Sequence, residues 1–260
     1  MRFCEARSPG WGSSMCCSLS KRFAFGAPRL PMASRNPAAV IAPIICYVTD
    51  RKALETRYPG RAVLECIRIA ADAGANLVQV REKDMPASAL LRLVREALKN
   101  LPAKNTAVRL IINDRLDVAW AAGAGGVHLG RESLPVADVI RWRGEEAKDF
   151  RIGASCHTAD EVREAQAAGA DYVFFGPVFD SPEKRVFGAP QGIARLAALC
   201  RAVRIPVIAI GGINAQNAAE CLRAGAQGVA AIRMFQDADG ADELTNAIAR
   251  IRGTDLKANG

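Results

Sequence analysis

From residue 44 onward the chain alternates short apolar runs with longer amphipathic stretches. The runs are Ile44–Thr49, Leu77–Arg81, Arg109–Asn113, Gly126–Leu129, Arg151–Ser155, Asp171–Gly176, Pro206–Ile210 and Gly228–Ile232. They lack helical periodicity and are too short to stand as helices, so each reads as a strand. Four of the stretches before them end in Ala-Gly-Ala, at Gly74, Gly123, Gly169 and Gly225. Glycine closes a helix in the left-handed conformation without a Cβ clash, so the unit reads helix end, turn, strand. The intervening segments read as helices. Ser88–Asn100 places Leu90, Leu91, Val94 and Leu98 on one stripe, and Thr158 stands where a cap for Ala159–Ala168 belongs, with Glu161 three residues on. Eight strands alternating with eight helices predict a closed (β/α)8 TIM barrel over 40–255.

Polar residues collect where the strands run out: Gln79, Arg81 and Lys83; Asn113 and Asp114; Ser155 and His157; Gly211 and Gly212. In such a barrel the C-terminal rim carries the active site. Period-two geometry sends Gln79, Arg81 and Lys83 to one face and Val80 to the other. A surface ion pair with Glu82 or Asp84 is the plain alternative. Gly211-Gly212 follows the seventh strand, and Ile232-Arg233 closes the eighth. Loops there commonly bind phosphate through backbone N–H groups. Asn113-Asp114 offers an amide and a carboxylate to a hard cation such as Mg²⁺, or Asp114 serves only as the cap of a helix over Arg115–Ala122. The stretch Gly176–Gly192 holds Ser181, Lys184 and Arg185 and reads as a phosphate-closing loop, a description that a plain surface loop also fits.

Charge adjusts this picture less than the formal +8 suggests. Residues 1–39 carry six basic residues against Glu5, so most of the excess lies in a Ser-, Arg- and Pro-rich tail expected to be disordered, a targeting segment, or the product of a start upstream of Met15 or Met32. The small remainder gathers at pocket candidates, and stacking aromatics are scarce. Small phosphorylated substrates are expected rather than nucleic acid. The eight cysteines include no CxxC pair and no zinc spacing, and Cys156 should face away from Ser155 and His157. No apolar stretch reaches membrane-span length, since Ala38–Val48 is short and broken by Pro43. A cytoplasmic protein without membrane partners is expected, with a homo-oligomer left open.

Six segments together resemble the thiamine-phosphate synthase family and its relative, the TenI-type thiazole tautomerase. They are Gln79-x-Arg81-Glu82-Lys83, Asn113-Asp114, Val127-His128-Leu129-Gly130, Gly153-x-Ser155-x-His157-Thr158, Gly176-Pro177-Val178-Phe179 and Ile210-Gly211-Gly212-Ile213, in family order and spacing over Ile44–Arg252. The resemblance implies that Arg81, Lys83, Asn113 and Lys184 embrace the pyrophosphate of hydroxymethylpyrimidine pyrophosphate, with Gln79, Ser155, Ser181 and His157 in the same site. It further implies that Asp114 helps to bind Mg²⁺ and that Gly211-Gly212, Ile232 and Arg233 hold a thiazole phosphate. Two positions depart from the family. Ser133 stands where the synthase carries a second metal-binding aspartate, with Glu132 as the candidate substitute, and Ser181-Pro182-Glu183-Lys184 replaces Thr-x-Thr-Lys. The alternatives are a tautomerase in which His157 moves a proton, and a non-catalytic barrel that binds thiamine precursors.

Overall fold

The apolar runs pair side by side in chain order and close on themselves. A computed structural model describes residues 42–101, 108–145, 147–180 and 189–255. The expected tail and the loop residues Ser181 and Lys184 lie outside them. The strands are β1 (Ile44–Val48), β2 (Leu77–Val80), β3 (Arg109–Asn113), β4 (Gly126–Leu129), β5 (Arg151–Cys156), β6 (Tyr172–Phe175), β7 (Val207–Ile210) and β8 (Gly228–Ala231). All eight are parallel neighbours, β8 pairing back to β1 through Ile44↔Gly228 and Cys46↔Ala230. The helices are α1 (Arg51–Arg57), α2 (Val63–Asp72), α3 (Ala87–Asn100), α4 (Leu116–Ala122), α5 (Val136–Arg143), α6 (Ala159–Ala167), α7 (Gly192–Ala202), α8 (Ala218–Arg223), α9 (Arg233–Gln236) and α10 (Ala241–Asp255). The expected single helix per strand is doubled after β1 and after β8.

Side-chain alternation divides the core in two. Ile44, Cys46, Val48, Leu77, Ile111, Tyr172, Phe174, Ile208 and Ala230 fill the barrel interior. Ile45, Tyr47, Val78, Val80, Ile112, Val127 and Ile152 pack outward under the helices. Strands covered on both faces carry mostly apolar runs, which is why the runs were legible. The Thr158–Glu161 capping box is present at α6, each side chain accepting from the other residue's backbone N–H. On α3, Leu90, Val94 and Ala97 are buried, while Leu91 and Leu98 pack at the margin.

One interior position depends on glycine. A Cβ on Gly153 would sit 2.2 Å from the Tyr172 ring, its cross-strand partner. Its absence lets a large aromatic lie across the barrel beneath the mouth.

Candidate active site at the C-terminal mouth of the barrel

Three of the expected polar residues, Gln79, Asn113 and Asp114, form one connected network at the strand ends. Gln79 is buried and its Nε2 donates to Asn113 Oδ1 at 2.8 Å. Asn113 Nδ2 donates in turn to Asp114 Oδ2 at 2.6 Å. The other Asp114 oxygen accepts from the Gly130 N–H at 3.0 Å and from the Ser133 hydroxyl. Asp114 adopts φ +60°, a conformation that Asp tolerates better than most residues. Its side chain therefore does not cap α4, whose N-cap is Arg115 without a side-chain bond. The carboxylate is directed instead across the mouth to the loop after β4.

Ser133, where the synthase pattern has an aspartate, reaches Asp114 directly, while the neighbouring Glu132 is exposed and forms no hydrogen bond with it. Among the described residues no three His, Cys, Asp or Glu side chains gather as a metal cluster. The donor set still suits a hard cation in one restricted sense. One carboxylate with an adjacent hydroxyl supplies oxygen ligands, and Mg²⁺ ordinarily completes its shell with water and substrate phosphates.

A second chain of hydrogen bonds runs up the interior and was not anticipated. Tyr172 Oη lies 3.2 Å from His128 Nδ1, and His128 Nε2 lies 2.9 Å from Ser155 Oγ, at the mouth. His128 is fully buried against the Phe174 ring, with centroids 4.2 Å apart. Burial drives its pKa down to about 3, with Asp114 opposing that shift and Arg81 adding to it. His128 is thus a neutral imidazole and a positioner of hydroxyls. The signal was present in the sequence, because His128 and Tyr172 both fall on inward strand positions.

Arg81 is half-buried at the end of β2, and Lys83 lies exposed in the turn that follows. Among the described residues neither is paired with a carboxylate. The acids between and after them are engaged elsewhere. Glu82 accepts from Thr49 Oγ1 at 2.6 Å, and Asp84 pairs with Arg51 at 2.6 Å and Lys52 at 3.4 Å. The plain alternative, Lys83 neutralised by Glu82 or Asp84, is therefore not what the structure contains.

His157 is exposed, and its Nδ1 lies 2.6 Å from the Gly176 carbonyl oxygen at the end of β6. That contact requires an Nδ1–H donor and leaves Nε2 as the acceptor. Gly211 and Gly212 have φ +96° and +68°, and the close approach they permit is to the loop after β6. A Cβ at either would fall 2.6–2.7 Å from Pro177, Phe179 or Asp180. Phe179 N–H donates to Gly211 O at 3.0 Å, tying the two loops together. Ile232 caps the short α9 and packs against the interior cluster, and Arg233 begins that helix, exposed. Cys156 points outward into the layer beneath the helices, and burial raises its thiol to about 12, so no thiolate is available near neutral pH. No helix among the described residues is long and apolar enough to cross a membrane.

Residues 45–235 match the family model described as thiamine monophosphate synthase. The chain is 47% identical over 185 residues to a putative thiamine-phosphate synthase of Geobacter sulfurreducens, covering 71% of this chain and 83% of that one. It is 40% identical over 201 residues to the thiamine-phosphate synthase of Moorella thermoacetica, covering 77% and 92%. Among solved structures, the thiamine phosphate pyrophosphorylase of Pyrococcus furiosus superposes with a TM-score of 0.68 at 30% identity, covering 83% of this chain and 96% of that one.

Proposed function

Because the chain belongs to the thiamine monophosphate synthase family, we propose that it joins hydroxymethylpyrimidine pyrophosphate to thiazole phosphate, giving thiamine phosphate and releasing pyrophosphate. The observation that carries this reading is the pair Arg81 and Lys83, without carboxylate partners among the described residues, beside an ordered amide and carboxylate network at the barrel mouth. Breaking the bond between the pyrimidine methylene and the pyrophosphate oxygen leaves negative charge on the leaving group and a cation that the thiazole nitrogen captures. The site has then to stabilise a departing anion more than to transfer protons. A cation about 4 Å from a phosphate oxygen is worth about 4 kcal/mol at an effective dielectric near 20, before desolvation.

In this reading Arg81 and Lys83 hold the pyrophosphate, and Gln79 fixes the Asn113 amide so that its orientation is set before substrate arrives. Lys184 and Ser181, outside the described residues, are proposed for the same anion. Ser155, held by the neutral His128, offers its hydroxyl to the pyrimidine side. Gly211, Gly212, Ile232 and Arg233 are proposed to receive the thiazole phosphate, at the loops after β7 and β8 and the short helix that follows. Asp114 and Ser133 would hold Mg²⁺, with Glu132 outside that set. The ion, when bound with the pyrophosphate, neutralises part of its charge.

The test is mass-spectrometric product analysis of the purified full chain given both substrates, with Mg²⁺ and with chelator. Metal-dependent thiamine phosphate with release of pyrophosphate is the expected result. No condensation, from folded protein that still binds thiazole phosphate, overturns it. One observation favours a second reading, a thiazole tautomerase: the tautomer enforced by Gly176 leaves His157 Nε2 as a base. In that case a carboxylated thiazole phosphate is isomerised without any pyrophosphate, and His157→Ala is the most damaging change.

A further inference from the structure

Glu82 presents an electrostatic contradiction. It lies between two cations proposed to bind pyrophosphate, where a carboxylate should repel the ligand. The structure turns it to the opposite face and buries it, 5% exposed. There its Oε1 accepts from Thr49 Oγ1 at 2.6 Å, and its two oxygens accept from the Arg51 N–H at 3.2 and 3.1 Å. Thr49 is fully buried, and its Oγ1 also accepts from the Arg81 N–H at 2.9 Å. The threonine backbone donates to Gln79 O at 2.9 Å, continuing the β1–β2 pairing past the strand ends. Burial raises the pKa of Glu82, opposed by its bonds to Thr49 and Arg51, and Asp50 adds a like charge nearby. A desolvated carboxylate is costly unless its bonds are all made, and here they join the β1–α1 junction to the start of the β2–α3 loop.

We propose that Glu82 is a positioning residue, which through Thr49 locks the backbone at Arg81 so that the Arg81 and Lys83 side chains stay directed at the mouth. The inference rests on the reading in which those two cations hold pyrophosphate. It makes a prediction opposite in sign to a simple charge effect. Neutralising a carboxylate near a bound anion should tighten binding, whereas releasing the lock should weaken it.

The experiment is calorimetric titration of the full chain, in Mg²⁺, with inorganic pyrophosphate and separately with thiazole phosphate, with thermal unfolding of each variant. Glu82→Gln is expected to weaken pyrophosphate binding about tenfold, the size of one lost hydrogen bond to a charged group. Thr49→Val should do the same, the double variant should be no worse than the more affected single one, and Thr49→Ser should keep wild-type affinity. Thiazole phosphate affinity should be unchanged throughout, which a general loss of structure would not produce. Should Glu82→Gln fail to fold, the contrast between Thr49→Val and Thr49→Ser decides. Unchanged or tighter pyrophosphate binding in Glu82→Gln, with binding lost in Arg81→Ala, overturns this inference alone. A wild-type chain that does not bind pyrophosphate overturns the functional reading beneath it.

Discussion

Both ends of the barrel hold cations, and they are treated in opposite ways. At the N-terminal end Arg109 is 2% exposed and donates to Gly125 O at 3.2 Å and Asp149 O at 2.6 Å. Beside it Arg143 and Arg151 grip Asp171 at 2.5 and 3.2 Å, and Asp171 also accepts from the Ile152 N–H at 2.8 Å. At the C-terminal end the carboxylates nearest in sequence to Arg81 and Lys83 are bonded away from them. Arginine by itself therefore says little. A cation whose hydrogen bonds close within the protein holds the fold together, whereas a cation kept from the neighbouring acids is available to a ligand.

The contrast breaks most readily at the closed end. Asp171→Ala leaves Arg143 and Arg151 facing each other without their shared anion, and we expect about 3 kcal/mol lost in urea unfolding. The folded fraction should keep its affinity for pyrophosphate. A loss well below 1 kcal/mol would mean that the lower cluster does not hold the barrel. At the open end the order reverses. Arg81→Ala should lower kcat/KM about a hundredfold, with the thermal midpoint almost unmoved, since it breaks no ion pair among the described residues. Equal losses of stability in the two variants would erase the distinction.

His128 lies between the two ends, and its pH response sharpens the comparison. Above about pH 6.5 the folded and unfolded chains both carry it neutral. Below that the unfolded chain takes up a proton that the buried imidazole refuses until about pH 3, so stability falls as pH falls. The slope should approach 1.4 kcal/mol per pH unit, roughly, from this group alone. Unfolding midpoints at successive pH values should show a shallower decline in His128→Gln. The smallest effect is expected at Cys156, where Cys156→Ala should cost about 1 kcal/mol and leave turnover unchanged. A collapse of turnover there would place chemistry on the wrong face of β5.

The strands could be read from the chain because each is covered on both sides and so is largely apolar. Asp171, placed in the sixth strand by its neighbours, falls just outside β6, where the carboxylate turns to the arginines. Gln79 was recognisable as a mouth residue from alternation, and Asn113 and Asp114 from standing where the third strand runs out. The inward placement of His128 and Tyr172 could be read as well, but their bonding with Ser155 into one column could not, because it joins three strands far apart in sequence. Nor could local sequence assign the acids among the cations. Alternation sends Glu82 to the Val80 face, but it does not say that the partners waiting there are Thr49 and the Arg51 N–H, which come from the β1–α1 junction.

The sequence by itself determined the alternation of strands and helices, the closed parallel barrel, and the rim at which polar chemistry collects. These follow from burial and backbone geometry repeated every few residues, which local composition records. Only the tertiary structure decided which charges are spent inside the molecule. It gave Ser133 rather than Glu132 to Asp114, bonded Glu82 to Thr49, and kept Arg81 and Lys83 clear of the nearby acids. Such choices depend on distances between side chains from different strands, and no single stretch of chain contains them.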